Sequence, residues 1–169
     1  MVHMLEDPNV LVFIEAIKML DHLCFLLKYT IKQAKMKQFI QLLADKYKET
    51  KTAVLAALEK TFDAILDNRC IPWTAFFDQM ISQIALNHKN PRVKQMVIDR
   101  VEILIEKNCM RPDGKMKNTP QVVSVFKQVK DKLNKIIMKD TSASVRDSGV
   151  SLLGTFRIIL AHTEDETIV

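Results

Sequence analysis

Apolar side chains recur at helical intervals along this chain, and short polar segments divide the stretches that carry them. Asp7-Pro8 reads as a cap followed by a proline at the first helical position, after which Val10, Phe13, Ile14, Ile17, Leu20, Cys24 and Leu27 share one face, predicting a helix to about Tyr29. Two more helices are expected from about Lys32 to Ala44 (Met36, Phe39, Ile40 and Leu43 inward) and from about Thr50 to Leu66 (Leu55, Leu58, Phe62 and Ile65 inward). Pro72 opens a helix to about Leu86 through Trp73, Phe76, Met80, Ile81 and Ile84, and Asn90-Pro91 opens its partner to about Lys107 through Val93, Val97, Val101 and Leu104. Beyond the turn Arg111-Pro112-Asp113-Gly114, Thr119-Pro120 starts a helix to about Met138 through Val122, Phe126, Val129, Leu133 and Ile136. Its partner runs from near Ser144 to about Ala161 with Val145, Leu152, Leu153, Phe156 and Leu160 inward. All five prolines fall at element boundaries, where a residue without an amide hydrogen does least harm.

Each antiparallel pair has an apolar face that it cannot bury alone. Stacked pairs bury it in one shared core, so the expected fold is all-α: a right-handed, slab-like solenoid of helix pairs with the period and composition of HEAT-type repeats. The count is about three pairs plus one leading helix over residues 1–169, a single domain, with the leading helix expected to complete a pair begun upstream.

Composition narrows the picture. With 48% apolar and 27% charged residues, 169 residues can bury one core. Three Gly and five Pro are few breakers, and strand signals are absent. No run approaches the roughly 20 apolar residues of a membrane span, and the amino end has no secretory pattern, so a cytosolic setting is expected. Cys24, Cys70 and Cys109 are odd in number and far apart, which argues for packing roles over a disulfide framework or a zinc site. His22 and His88 have no second ligand at metal spacing, and Asp63 and Asp67, one turn apart, read as a solvent-facing stripe. No phosphate loop, nucleophile elbow or paired catalytic motif occurs, so neither an enzyme nor a cofactor is expected.

The charge of +5 is distributed with a pattern. Three polar loops, spaced by roughly 45 to 50 residues, each run into a helix whose first turn is basic. They read Asp45-Lys46-Tyr47-Lys48-Glu49-Thr50-Lys51, Asn87-His88-Lys89-Asn90-Pro91-Arg92-Val93-Lys94 and Lys139-Asp140-Thr141-Ser142-Ala143-Ser144-Val145-Arg146. A helix N-terminus carries about half a positive charge, so cations there are mildly unfavourable. Their recurrence points to a row of cations offered to an acidic partner, formed by Lys46, Lys48, Arg92, Lys94 and Arg146 with Lys51, Lys89 as weaker members. For Lys94 and Arg146 the competing reading is an internal ladder, in which the cation after the helix's Val pairs with an Asp of a neighbouring repeat. Lys115 and Lys117 read as a solubilising linker. Aromatics amount to 7% without a stacking platform, which argues against nucleic acid as the partner.

Asp7-Pro8-Asn9-Val10 before an apolar helix, then Asn90-Pro91-Arg92-Val93-Lys94, then Ser144-Val145-Arg146-Asp147-Ser148 with Leu153-Gly154, resemble successive repeats of TOG domains, the tubulin-binding modules of microtubule polymerases and related rescue proteins. The resemblance spans nearly the whole chain, and the order of the three motifs is more specific than any one of them. It implies a flat paddle whose intra-repeat loops form a narrow edge against the acidic surface of an αβ-tubulin dimer or a microtubule end. Lys46, Lys48, Lys51, Lys89, Arg92, Lys94 and Arg146 would then be the contact residues, acting beside other domains of an array in the cytoplasm, at microtubules, spindle poles or the centrosome.

TOG domains usually hold about six repeats and carry an aromatic residue, often Trp, in the first loop, which this chain does not contain. Trp73 opens a first helix, on the edge away from the loops, and is expected as core or rim. The alternative function is a HEAT-repeat scaffold that binds another protein, such as a transport cargo, a phosphatase subunit or a centrosomal adaptor. Duplex nucleic acid is a third, marked by a steep salt dependence.

Overall fold

Alternating apolar and polar helical faces give the chain little choice but to hide one side of each helix, and the computed structural model, which describes residues 2–109 and 119–166, shows how this is done. Eight α-helical segments follow one another: α1 (Val2–Glu6), α2 (Val10–Leu27), α3 (Gln33–Asp45), α4 (Thr52–Asp67), α5 (Trp73–Asp78), α6 (Pro91–Cys109), α7 (Thr119–Lys139) and α8 (Ala143–Glu166). The chain is all-α, and no strand occurs among the described residues.

Odd-numbered helices form one row, with α1 against α3, α3 against the continuation of α5, and α5 against α7. Even-numbered helices form the other, with α2 against α4 and α6 against α8, while Arg100 of α6 reaches the Glu59 carbonyl and the Asp63 carboxylate of α4 at 2.7 and 2.6 Å. The two rows enclose a continuous core that includes Phe13, Leu20, Ile40, Phe62, Phe76, Val97, Leu133, Leu152 and Phe156. An aromatic run crosses this core: Tyr47 stacks on Phe62 at 6.0 Å, Phe62 meets Phe76 at 6.1 Å, Phe76 meets Phe77 at 5.2 Å and Phe77 meets Trp73 at 5.8 Å. It connects the edge formed by the turns within helix pairs to the edge formed by the turns between them.

The leading helix α2 packs against a short helix that precedes it. Val2–Glu6 is too short to show periodicity, yet it folds as α1 because Leu5 is fully buried, with Val2 and Met4 packed against the core. The entry to α2 also differs from the sequence expectation. Asn9, not Asp7, is the capping residue, accepting the Leu11 amide hydrogen at 3.0 Å, and Asp7 instead accepts the Asn9 amide at 2.7 Å.

The helix expected from Pro72 changes character midway. After α5 it continues as a π-helical stretch, Gln79–Ala85, whose wider turn brings Gln79 and Ser82 inward beside Met80, Ile81 and Ile84. The polar atoms are satisfied: the Gln79 amide faces Gln41 at 3.5 Å, Ser82 donates to Asp78 at 2.6 Å, and Asn87 donates to the Ser82 carbonyl at 2.8 Å.

Helix α4 ends in a Schellman motif. The Cys70 amide donates to the Ile65 carbonyl and the Arg69 amide to the Leu66 carbonyl, both at 3.0 Å, while Arg69 takes a φ of 53°, the left-handed position usually given to Gly. The turn Arg111-Pro112-Asp113-Gly114, with Lys115 and Lys117, lies outside the described residues.

Candidate functional site: the edge of hairpin tips

Each turn within a helix pair is tied to the next by hydrogen bonds between residues about forty positions apart, so the tips lie in chain order along one edge. At the first tip, α3 tightens into a 3-10 turn, Lys46–Lys48, which buries Tyr47 and folds Lys46 back. Lys46 Nζ donates to the Asp7 carbonyl at 2.9 Å and lies 4.8 Å from the centre of the Phe13 ring. At the second tip, Asn90 caps α6 by accepting the Arg92 amide at 2.9 Å. His88 Nδ1 accepts the Asn90 amide at 3.0 Å, which assigns the ring proton to Nε2, and that atom faces Asp45 Oδ1 of the first tip at 3.2 Å. Arg92 reaches the same tip, donating from Nε to the Tyr47 carbonyl at 3.2 Å and from Nη2 to the Glu49 carbonyl at 3.4 Å.

The third tip is tied to the second by Lys94, whose Nζ lies 2.6 Å from Asp140 Oδ2. Asp140 Oδ1 accepts the Ser142 amide at 3.0 Å, and Arg146 Nη1 donates to the Asp140 and Thr141 carbonyls at 2.8 and 3.3 Å. Burial of Asp140 opposes its ionisation. The hydrogen bonds from Lys94 and from the Ser142 amide, with the charges of Lys94 and Arg146, outweigh it and hold the carboxyl below its usual range.

These contacts explain the cations that looked misplaced. A positive charge in the first turn of a helix opposes that helix's own dipole, but Arg92 carries its guanidinium group onto carbonyl oxygens of the 3-10 turn that ends α3, one helix pair back, and Arg146 carries its own onto carbonyls just past the carboxyl end of α7. There a cation is favourable and orphan acceptors need a donor. Lys94 does the equivalent with a half-buried carboxylate.

The seven candidate cations therefore fall into two groups. Lys46, Arg92, Lys94 and Arg146 spend hydrogen-bonding capacity inside the protein. Lys48, Lys51 and Lys89 are exposed on the tips and form no ion pair among the described residues. Lys139, in the third loop but outside the candidate set, has the same character. Of the acidic groups on this edge, Asp45 faces His88, Asp140 pairs with Lys94, and Glu49 stands half-buried between Lys48 and Lys51. The exposed ammonium groups are donors without acceptor capacity, suited to carboxylates or other anionic oxygens.

Elsewhere the sequence expectations meet mixed outcomes. Asp63, read as part of a solvent-facing stripe, accepts from Arg100 at 2.6 Å and Lys107 at 2.9 Å; the sequence signal available was a buried position for arginine on α6. Trp73 is half-buried at the start of α5, as expected for a rim residue. It lines a cleft of about 880 Å³ on the opposite edge, with Ile31, Lys32, Leu66, Arg69 and Pro72. The three cysteines are buried and free. Cys70 Sγ lies 3.6 Å from the Cys24 carbonyl; hydrogen bonding between the two thiols, then burial, pushes Cys24 above the usual thiol range, while the same hydrogen bond, against the effect of burial, draws Cys70 below it. No group of metal-ligating side chains large enough to hold an ion occurs among the described residues, and none of their helices is long and apolar enough to cross a membrane. No protein-family model, curated protein or solved structure matches the chain.

Proposed function

We propose that this chain is a non-catalytic tubulin- or microtubule-binding module of the TOG type, which contacts αβ-tubulin along its edge of hairpin tips. In that role it supports growth at microtubule plus ends or spindle organisation. The observation that carries the reading is the row of tips held in register by Arg92 and Lys94 with Lys48, Lys51, Lys89 and Lys139 left exposed along it. The two rows of helices support a HEAT-type superhelix as its frame.

Lys46, Arg92, Lys94 and Arg146 position the tips, and the exposed lysines meet the acidic surface. Long-range attraction steers encounter, and few direct contacts keep affinity moderate, which suits capture and release of subunits. Size-exclusion chromatography with purified tubulin at low and moderate salt tests this. Co-elution is expected for the wild type and not for K48E/K51E/K89E, with the helical circular dichroism of that variant unchanged. Equal co-elution of both, or of neither at low salt, overturns the reading.

The cleft at Trp73 favours a second reading, a helical-repeat scaffold for a protein partner such as a transport, phosphatase or centrosomal adaptor component. Trp73→Ala would then abolish partner binding and K48E/K51E/K89E would not.

A further inference from the structure

Cys24 and Cys70 stand 46 positions apart in the sequence, yet the fold brings them together where the neighbouring helices α2 and α4 end. Cys24 lies in the last turn of α2, and Cys70 lies just beyond the motif that closes α4, in the connection to α5. Cys70 Sγ is 3.6 Å from the Cys24 carbonyl oxygen, and the two thiols hydrogen-bond to each other. Sulfur atoms already in contact need only a small adjustment to reach the disulfide distance of about 2 Å, and Cys70, outside a helix, has the backbone to make it.

The two thiols differ in access. Cys24 is fully buried, whereas Cys70, 2% exposed, lines the cleft at Trp73. Thr30 and Ile31, which follow α2, and Arg69 and Cys70, which follow α4, share the wall of that cleft. An oxidant little larger than water can therefore reach Cys70 without passing through the core. Hydrogen bonding with Cys24, against the effect of burial, draws the Cys70 thiol below its usual range, which raises the share of thiolate, the form that attacks. Cys109 is fully buried and is not among the residues that line the cleft.

We propose that Cys24 and Cys70 form a reversible dithiol-disulfide site, oxidised by a small peroxide that enters through the Trp73 cleft. The Cys70 thiolate attacks one oxygen of hydrogen peroxide, the O–O bond breaks, and the departing hydroxide takes up a proton as water, leaving Cys70 as the sulfenic acid. The Cys24 sulfur then attacks the Cys70 sulfur, the S–O bond breaks, and the departing hydroxide carries off the Cys24 proton as a second water. Two electrons pass from the thiol pair to the peroxide. The new bond fastens the ends of α2 and α4 beside the cleft and closes a loop across 46 positions, which restricts the unfolded chain. None of this depends on what the tip edge binds.

Treating the folded protein with stoichiometric hydrogen peroxide, then alkylating it and mapping its tryptic peptides by mass spectrometry, tests the proposal. The three cysteines fall in separate peptides, residues 19–28, 70–89 and 108–115, so each pairing has its own mass. The expected product joins 19–28 to 70–89 and unfolds at a higher urea midpoint, a shift that dithiothreitol abolishes and that C24A and C70A do not show. Dithiothreitol does not reduce a methionine sulfoxide, so its reversal of the shift assigns it to the disulfide. Thiols that stay reduced in the folded protein, a link that forms only in denaturing urea, a link to Cys109, a Cys70 that stops at the sulfinic acid, or a linked species with no rise in midpoint would each overturn the proposal.

Discussion

Lys94, in the first turn of α6, holds its ammonium 2.6 Å from the carboxylate of Asp140, 46 positions along the chain and one helix pair away. With 16% and 7% of these side chains exposed, removing either partner leaves a charge that water reaches poorly. Lys94→Ala is expected to lower the unfolding free energy by about 2 kcal/mol, between the values for exposed and fully buried pairs. Asp140→Ala should cost somewhat more, because it also removes the acceptor of the Ser142 amide. In a urea-denaturation double-mutant cycle the two should couple by about 1 kcal/mol or more. A cycle that closes without coupling would reduce Lys94 to a solvated cation.

The pH dependence of stability should carry opposite contributions from two carboxylates. Asp140 is held below its usual range when folded, so its contribution is complete above the unfolded value, about pH 4, and is lost as the pH falls further through the folded value. Asp99 is raised, first by burial and then by the neighbouring Glu102, against hydrogen bonds with Ser148 and Gln95. Its ionised form therefore destabilises the fold above its folded pKa, and that penalty disappears on acidification. Asp99→Asn should raise stability at pH 7, and the gain should vanish near pH 4. Urea midpoints at the two pH values check both signs.

Arg69 occupies the left-handed position of the motif that closes α4, at a φ of 53°. A side chain there crowds its own backbone by about 1 kcal/mol relative to Gly, and Gly is the residue this motif prefers. Arg69→Gly should therefore stabilise the protein by about that amount, with no change in circular dichroism. A loss of stability would mean that the guanidinium makes a compensating contact at the cleft.

How far the sequence can be read follows from what periodicity encodes. It reports which face of a helix turns inward, and so Phe13, Phe39, Phe62, Phe76, Val97 and Phe156 are buried as their spacing requires. It does not report what a long side chain meets two helices away. Lys46 and Arg92 read as loop cations because their acceptors, the carbonyls of Asp7, Tyr47 and Glu49, are backbone groups that leave no trace in residue type. Tyr47 lies in a polar segment, yet is 1% exposed, because the 3-10 turn after α3 swings it onto Phe62. The π-helical stretch escaped for a related reason. Its apolar positions keep a helical interval, and only the inward turn of Gln79 and Ser82 distinguishes it.

The two glycines of α8 should respond oppositely to the same substitution. Gly in a helix interior is less favourable than Ala by about 1 kcal/mol, so Gly→Ala stabilises wherever the added methyl meets nothing. At Gly154 a Cβ would have no neighbour within 4 Å, and Gly154→Ala should raise the unfolding free energy by about that amount. At Gly149 the same atom would lie 2.9 Å from Ile137 Cγ1, on α7. Ile is confined to few rotamers in a helix, so relief requires α7 and α8 to separate at this contact. The strain, about 1–3 kcal/mol, offsets or exceeds the propensity gain. Gly149→Ala should be destabilising, and combining it with Ile137→Val, which keeps Cγ1 but shortens the branch beyond it, should recover part of the loss. Equal stabilisation by both alanines in urea titrations would contradict the close contact between α7 and α8 at Gly149.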